Sequence, residues 1–317
     1  MQPSRRDISA LVVAAALAPA SARAQTRQGL VIARGGASGG APEATRGAFD
    51  QAIRDGADFL RADLAVSRDG VLIVRRDHEL SADTDIAARA DFAARRTTKT
   101  VDGAVRSGWF AEDFDLAELK TLICGPIGAK RGRGDSPPAI LTLRDIVEIA
   151  RAGCVRTARV IGVYACLPPS AYFAGLDLAL EPRLAETVVR GGYNTTAAAM
   201  MVAGPEPQAL KTMARLTRVR RVLRIAPDAS GDVSGVRAYA HGVAPDLARI
   251  FDVTTARRPV PTAFIARAHA AGLAVHAWAA PSDPPALLEA AFAAGADAVS
   301  ADLARPAARA RGRVATG

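Results

Sequence analysis

Residues 56–80, GADFLRADLAVSRDGVLIVRRDHEL, decide the fold. Two β-rich runs, 59–63 and 71–75, flank a join of only seven residues, 64–70. Parallel neighbours need a crossover of about a dozen residues or more. Arg68-Asp69-Gly70 also has turn chemistry, with an aspartate that bonds its own backbone and a glycine free to take positive φ. The pair therefore reads as an antiparallel hairpin. Further β-rich runs lie at 30–33, 160–164, 200–202, 222–225, 242–244, 275–278 and 298–301. Helical patterns fall at 43–55, 143–152, 182–190, 206–215, 261–271 and 285–294. Strands alternating with helices predict a parallel sheet, and this many strands in so short a chain favour closure. The expected fold class is α/β: an irregular TIM (β/α)8 barrel, with an inserted segment after the third strand.

Local signals place several helix ends. Pro42-Glu43 suits a first turn, where proline lacks a donor that is not needed and the acid meets the positive end of the helix dipole. Thr142 and Asp145 have capping-box spacing, as do Asp115 and Glu118. Gly272 and Gly295 follow helical runs and suit C-caps. Residues 79–141 fit no strand–helix rhythm and are read as an insertion over one barrel end. They include the polar stretch 95–103, Trp109-Phe110, and a loose Gly/Pro/Arg segment at 126–138. The RGD triplet at 133–135 is read as chance within that segment.

Composition narrows the function. Half of the 317 residues are hydrophobic and 23% are charged, which is the make-up of a folded domain. Lys and Arg together number 41 against 32 Asp and Glu, a net charge of +9. That charge is almost all arginine and is dispersed. Without a basic–aromatic ladder, no nucleic-acid partner is expected. A weak attraction to acidic surfaces such as anionic lipid is compatible with it. Residues 1–24 have the form of an export signal: Arg5-Arg6, a short apolar run at 8–19, and Ala22-Arg23-Ala24 before the expected cut. Ser4-Arg5-Arg6 resembles a twin-arginine start, and an ordinary secretory signal accounts for the same residues. The expected location is periplasmic or secreted, with a single domain over 25–317 that includes the insertion. No later apolar run is long enough to span a bilayer. In such a compartment Cys124, Cys154 and Cys166 permit one disulfide, and sequence does not pair them. The oligomeric state is not readable.

The segment VIARGGASGGAPEAT, 31–45, resembles the opening of the glycerophosphodiester phosphodiesterase family. The likeness continues through 56–80 (a GADFLRADL strand, a turn, a second strand) and 97–122. It resumes at PTAFIARAHAAGLAVHAWA, 261–279, and AAGADAVSADLARP, 293–306. It implies a distorted TIM barrel with an insertion. It also implies cleavage of glycerophosphodiesters to an alcohol and glycerol 3-phosphate. The family's site holds calcium or magnesium on carboxylates, uses two histidines for proton transfer, and grips phosphate with an arginine and a lysine.

Carried over residue by residue, most of that chemistry is missing. Arg34 and Arg76 occupy the two histidine positions, and Gly35 stands where the adjacent arginine belongs. Arg61 replaces the first metal glutamate, and Asp63 remains as its partner. In Tyr164-Ala165-Cys166-Leu167-Pro168, Cys166 replaces the third carboxylate and Pro168 the lysine. Glu43, Asp77, His78, His276, Trp278 and Asp302 persist. Aligned one residue later, Arg34-Gly35 would match the family's Arg-Gly and lose the histidine. His78 could also serve for the histidine position at Arg76, at a displacement of ~7 Å.

Arginine does not exchange protons near neutral pH, and it repels a metal. Two like charges ~4 Å apart cost about 4 kcal/mol at an effective dielectric of ~20. The expectation is a catalytically impaired or inactive family member with no cofactor, whose Arg34, Arg61 and Arg76 bind a small anionic or phosphate-bearing ligand at the barrel mouth. Two alternatives stand beside it. One is an active phosphodiesterase using calcium or magnesium. The other is a degenerate homologue with no ligand.

Overall fold

The structure, a computed structural model, describes residues 29–37, 41–125, 137–226, 231–252, 259–280 and 283–316. Residues 1–24, read as an export signal, and the RGD triplet at 133–135 lie outside those residues. Strand β1 is Leu30–Arg34, helix α1 Arg46–Arg54, β2 Phe59–Val66 and β3 Leu72–Val74. β3 folds back on β2, pairing Leu64 with Val74 and Val66 with Leu72. Gly70 makes the turn at φ +80°, and its N–H donates to the Ser67 carbonyl at 2.9 Å.

The insertion follows, with β4 (Thr97–Val101), β5 (Ala104–Gly108) and the one-turn helix α2 (Leu116–Leu119). The barrel resumes with α3 (Leu143–Thr157), β6 (Gly162–Cys166), α4 (Ala171–Ala174), α5 (Leu180–Arg190) and β7 (Met200–Gly204). Next come α6 (Pro207–Leu216), β8 (Arg220–Arg224), β9 (Gly242–Ala244) and α7 (Leu247–Ile250). A short pair, β10 (Phe251–Asp252) and β11 (Val260–Pro261), precedes α8 (Phe264–Ala270) and β12 (Ala274–Trp278). The chain ends in α9 (Pro285–Ala293), β13 (Ala298–Ala301) and α10 (Ala304–Thr316).

Parallel pairing runs β1-β13-β12-β9-β8-β7-β6-β2, and β2 also pairs with β1 through Ile32↔Phe59. The sheet is therefore a closed eight-stranded parallel barrel. One apolar cluster fills the space between strands and helices, and a smaller one, including Ile32, Tyr164, Met201 and Val222, fills the interior. A third joins the insertion to the β2–β3 hairpin through Ile73, Trp109, Phe114 and Ile140. That cluster fixes the insertion to the barrel.

Both capping boxes form. In the first, Thr142 Oγ1 accepts from the Asp145 N–H at 3.1 Å, and Asp145 Oδ2 accepts from the Thr142 N–H at 2.8 Å. Thr142→Ala leaves one helix donor unmet and is expected to cost about 1 kcal/mol, read as a lower urea midpoint with an unchanged m-value.

Four local readings need correction. Pro42-Glu43 does not open a helix. Thr45 is the N-cap, accepting from the Ala48 N–H, and α1 begins one residue later. The strand read at 160–164 is β6, two residues on. Val160 is 72% exposed in the turn, so its β-branching reported no burial. The polar stretch 95–103 contributes to a hairpin, β4–β5, turned at Asp102 and Gly103 with φ of +48° and +81°. Helix α10 had no counterpart in the sequence reading.

Candidate functional site

In a barrel of this kind side chains at the carboxyl ends of the strands converge on one mouth. Here they line a cavity of about 10 Å3, room for one water. Its walls are Arg61 from β2, Tyr164 and Cys166 from β6, Arg224 from β8, His276 and Trp278 from β12, and Ser300 from β13, with Ala203 and Ala244. Asp63 sits beside it, opposite Cys166 in the β2–β6 register.

Each of the three arginines read as ligand-binding meets a carboxylate. Arg61 Nε donates to Asp63 Oδ1 at 2.9 Å. Arg34 pairs with Asp302 and lies 6.0 Å from the Trp278 ring centre. Arg76 pairs with Glu43, Nε to Oε1 at 3.2 Å, while Asp302 and Asp63 also act on its charge. The structure thus brings the three together at the mouth, but only Arg61 reaches the cavity. Gly35 has φ +59°, and a Cβ there would lie 2.2 Å from Glu43 Cγ. An arginine at that position would displace the partner that Arg76 uses.

Arg61, Cys166 and His276 are set against proton transfer near pH 7. Burial lowers the pKa of Arg61, but the Cys166 sulfur and the Asp63 carboxylate outweigh it and raise it. Burial pushes the Cys166 thiol up to about 12. Burial drives His276 down to about 4, so its ring is neutral; its Nδ1 lies 3.3 Å from the Tyr164 hydroxyl. His78 does not turn toward the mouth. Its Nδ1 is 3.0 Å from Glu112 Oε2, and its ring packs among Phe110, Tyr172 and Phe173.

The donor set does not fit a calcium or magnesium ion. Calcium takes roughly six to eight oxygens, and magnesium is usually held by one or two carboxylates. Glu43, Asp63 and Asp302 are each held by a guanidinium. Among the described residues no three His, Cys, Asp or Glu side chains group as ligands.

Arg224 and Ser300 escaped the sequence reading, and Trp278 figured in it only as a persisting residue. Arg224 ends β8 and is exposed at the cavity, with no ion pair among the described residues. Ser300 Oγ and Trp278 Nε1 are buried in the cavity wall without a hydrogen-bond partner among the described residues. The available signal was position, since all three lie at or near the carboxyl ends of barrel strands.

The comparisons agree with this architecture. The model of the glycerophosphoryl diester phosphodiesterase family matches residues 35–305. A glycerophosphodiester phosphodiesterase of Arabidopsis thaliana is 29% identical over 286 residues, covering 80% of this chain and 75% of its own. One from Haemophilus influenzae is 36% identical over 93 residues, 29% of this chain and 23% of that protein. A crystal structure of a glycerophosphodiester phosphodiesterase from Agrobacterium tumefaciens superposes with a TM-score of 0.64 at 21% identity, over 90% of this chain and 99% of that one. An Oleispira antarctica phosphodiesterase in complex with the product sn-glycerol-3-phosphate gives 0.64 at 22% identity, over 89% and 96%. At those identities the structures show the fold, while the family match spans most of the sequence. The chain belongs to the glycerophosphoryl diester phosphodiesterase family.

Proposed function

We propose that the protein is a non-hydrolytic member of its family that binds a small phosphate-bearing anion at the barrel mouth without a metal ion. One observation carries the binding: Trp278 Nε1 and Ser300 Oγ, which lack a hydrogen-bond partner among the described residues, share a cavity with Arg61 and with Arg224, which has no ion pair among them. A buried N–H or hydroxyl without a partner is costly, and an anionic oxygen in a one-water cavity relieves it. A phosphate seated over the mouth would place one oxygen there and another against the Arg224 guanidinium. The phosphate ester bound by the Oleispira relative has that chemistry. Loss of hydrolysis follows from the side chains at the two histidine positions, both arginine.

Calorimetric titration with glycerol 3-phosphate and with inorganic phosphate tests the reading. Millimolar binding is expected, weakened about tenfold by Arg224→Ala, because a hydrogen bond to a charged group is worth about 1.5–3 kcal/mol. The absence of heat well above millimolar ligand would leave the degenerate reading, in which Glu43, Asp63 and Asp302 have neutralised the mouth for good.

A further inference from the structure

The opposite end of the barrel carries a surface that the mouth does not explain. Helices α3, α5 and α6 each lead directly into a strand, so their carboxyl ends lie away from the mouth. Residues 151–160, 187–196 and 212–221 cover those ends and the turns after them. They contain eight arginines and no aspartate, glutamate or lysine. Arg151, Arg156, Arg190, Arg215 and Arg218 are exposed. Apolar tips stand among them: Val155 is 87% exposed and Val160 72%, with Val189 and Leu216 also in solvent.

The three helix ends form one continuous surface. Arg151 Nη2 donates to the Gly191 carbonyl at 2.9 Å and lies 5.6 Å from the Tyr193 ring centre, which joins α3 to the turn after α5. Asn194 Oδ1 accepts from the Arg218 N–H at 2.6 Å, which joins that turn to the one after α6. Two carboxylates reach the exposed arginines from outside these stretches, Asp50 to Arg156 and Glu186 to Arg190. Arg218 has no ion pair among the described residues.

We propose that this end of the barrel docks on an anionic lipid surface. Guanidinium groups face the acidic headgroups while the valine and leucine tips enter the headgroup–acyl boundary, the division of labour of interfacial binding. Five exposed arginines against the two carboxylates that reach them leave an excess of fixed positive charge, which selects an anionic partner. Bare aliphatic tips between the charges favour a bilayer over a nucleic acid, whose backbone offers them nothing. Docked this way, the barrel keeps its mouth turned to solvent, where a soluble ligand can enter. The inference is independent of what the mouth binds.

Co-sedimentation of the protein with vesicles tests it, using phosphatidylcholine alone and phosphatidylcholine mixed with phosphatidylglycerol. The expected result is partition onto the mixed vesicles only, lost in high salt as the charges are screened. Arg215→Glu with Arg218→Glu is expected to weaken it roughly thirtyfold or more. Val155→Ser with Val160→Ser should weaken it several-fold at unchanged salt dependence. All four side chains are exposed, so thermal melting should confirm that both variants fold. Equal affinity for both vesicle types, no affinity for either, or anionic binding indifferent to both double variants would overturn the proposal. Retention by duplex DNA but not by vesicles would overturn it too.

Discussion

Incubated with glycerophosphocholine and calcium or magnesium, the purified protein is expected to release no glycerol 3-phosphate above the blank, with or without chelator. A phosphodiester resists attack until its charge is neutralised and its leaving alkoxide receives a proton. General acid–base catalysis supplies roughly 10²–10⁴-fold of such a rate. Arg34 and Arg76 cannot supply it, because a guanidinium holds its proton through neutral pH. His276 is the one histidine in the cavity wall, but burial keeps it near 4 and its Nδ1 lies against Tyr164. Nor is there a place for the metal, since Arg61 donates to Asp63 and Cys166 is a protonated thiol. Turnover abolished by chelator would refute this account. The reverse experiment is sharper. Arg61→Glu with Cys166→Glu adds carboxylates beside Asp63 on paired strands β2 and β6. That variant is expected to gain calcium binding, seen as a melting temperature that rises with calcium and falls with chelator. The wild-type melting temperature should not respond.

Much of the barrel is legible because strands and helices alternate with strong local punctuation. The hairpin at 64–70 is settled by chain length, since no parallel crossover fits there. What escaped had weak apolar contrast. Helix α10 buries Ala304, Ala307 and Ala310 against the barrel, and alanines between arginines give a faint stripe. The β4–β5 hairpin did offer a signal, Asp102-Gly103 between Thr/Val-rich arms, the residue pair that favours a tight primed turn. In the site, the strand positions of Arg34, Arg61 and Asp63 follow from spacing. The Arg61–Asp63 pair, two residues apart, is legible as well, but the partners of Arg34 and Arg76 are not: Arg34 meets Asp302 across 268 residues and Arg76 meets Glu43 across 33. An arginine that binds a ligand and one that binds its own carboxylate are identical in sequence. For Arg34 the fold distinguishes them, because closure of the barrel sets β13, and Asp302 after it, beside β1.

Glu112→Gln is expected to destabilise the protein by about 3 kcal/mol at pH 7 and to flatten its acid sensitivity. The carboxylate is 4% exposed, 3.0 Å from His78 Nδ1, and accepts from the Tyr172 hydroxyl at 2.5 Å and Lys99 Nζ at 3.0 Å. Burial alone would raise its pKa. The bond and charge of His78, with the Tyr172 bond, outweigh that and hold it at about 2, against an ordinary value of 4.5. A depressed folded-state pKa stabilises above the unfolded value. The contribution is therefore complete at pH 7 and fades as pH falls from about 4.5 toward 2. The shift corresponds to roughly 3 kcal/mol. Urea midpoints of wild type and variant should differ at pH 7 and converge near pH 2; parallel acid slopes would exclude Glu112 as the source. The consequence is also local. Tyr172 belongs to α4 of the barrel and Lys99 to the inserted hairpin, so Glu112 joins the two. Protonation should loosen the insertion before the barrel opens, with amide exchange in β4 and β5 rising in acid ahead of that in β6 and β7.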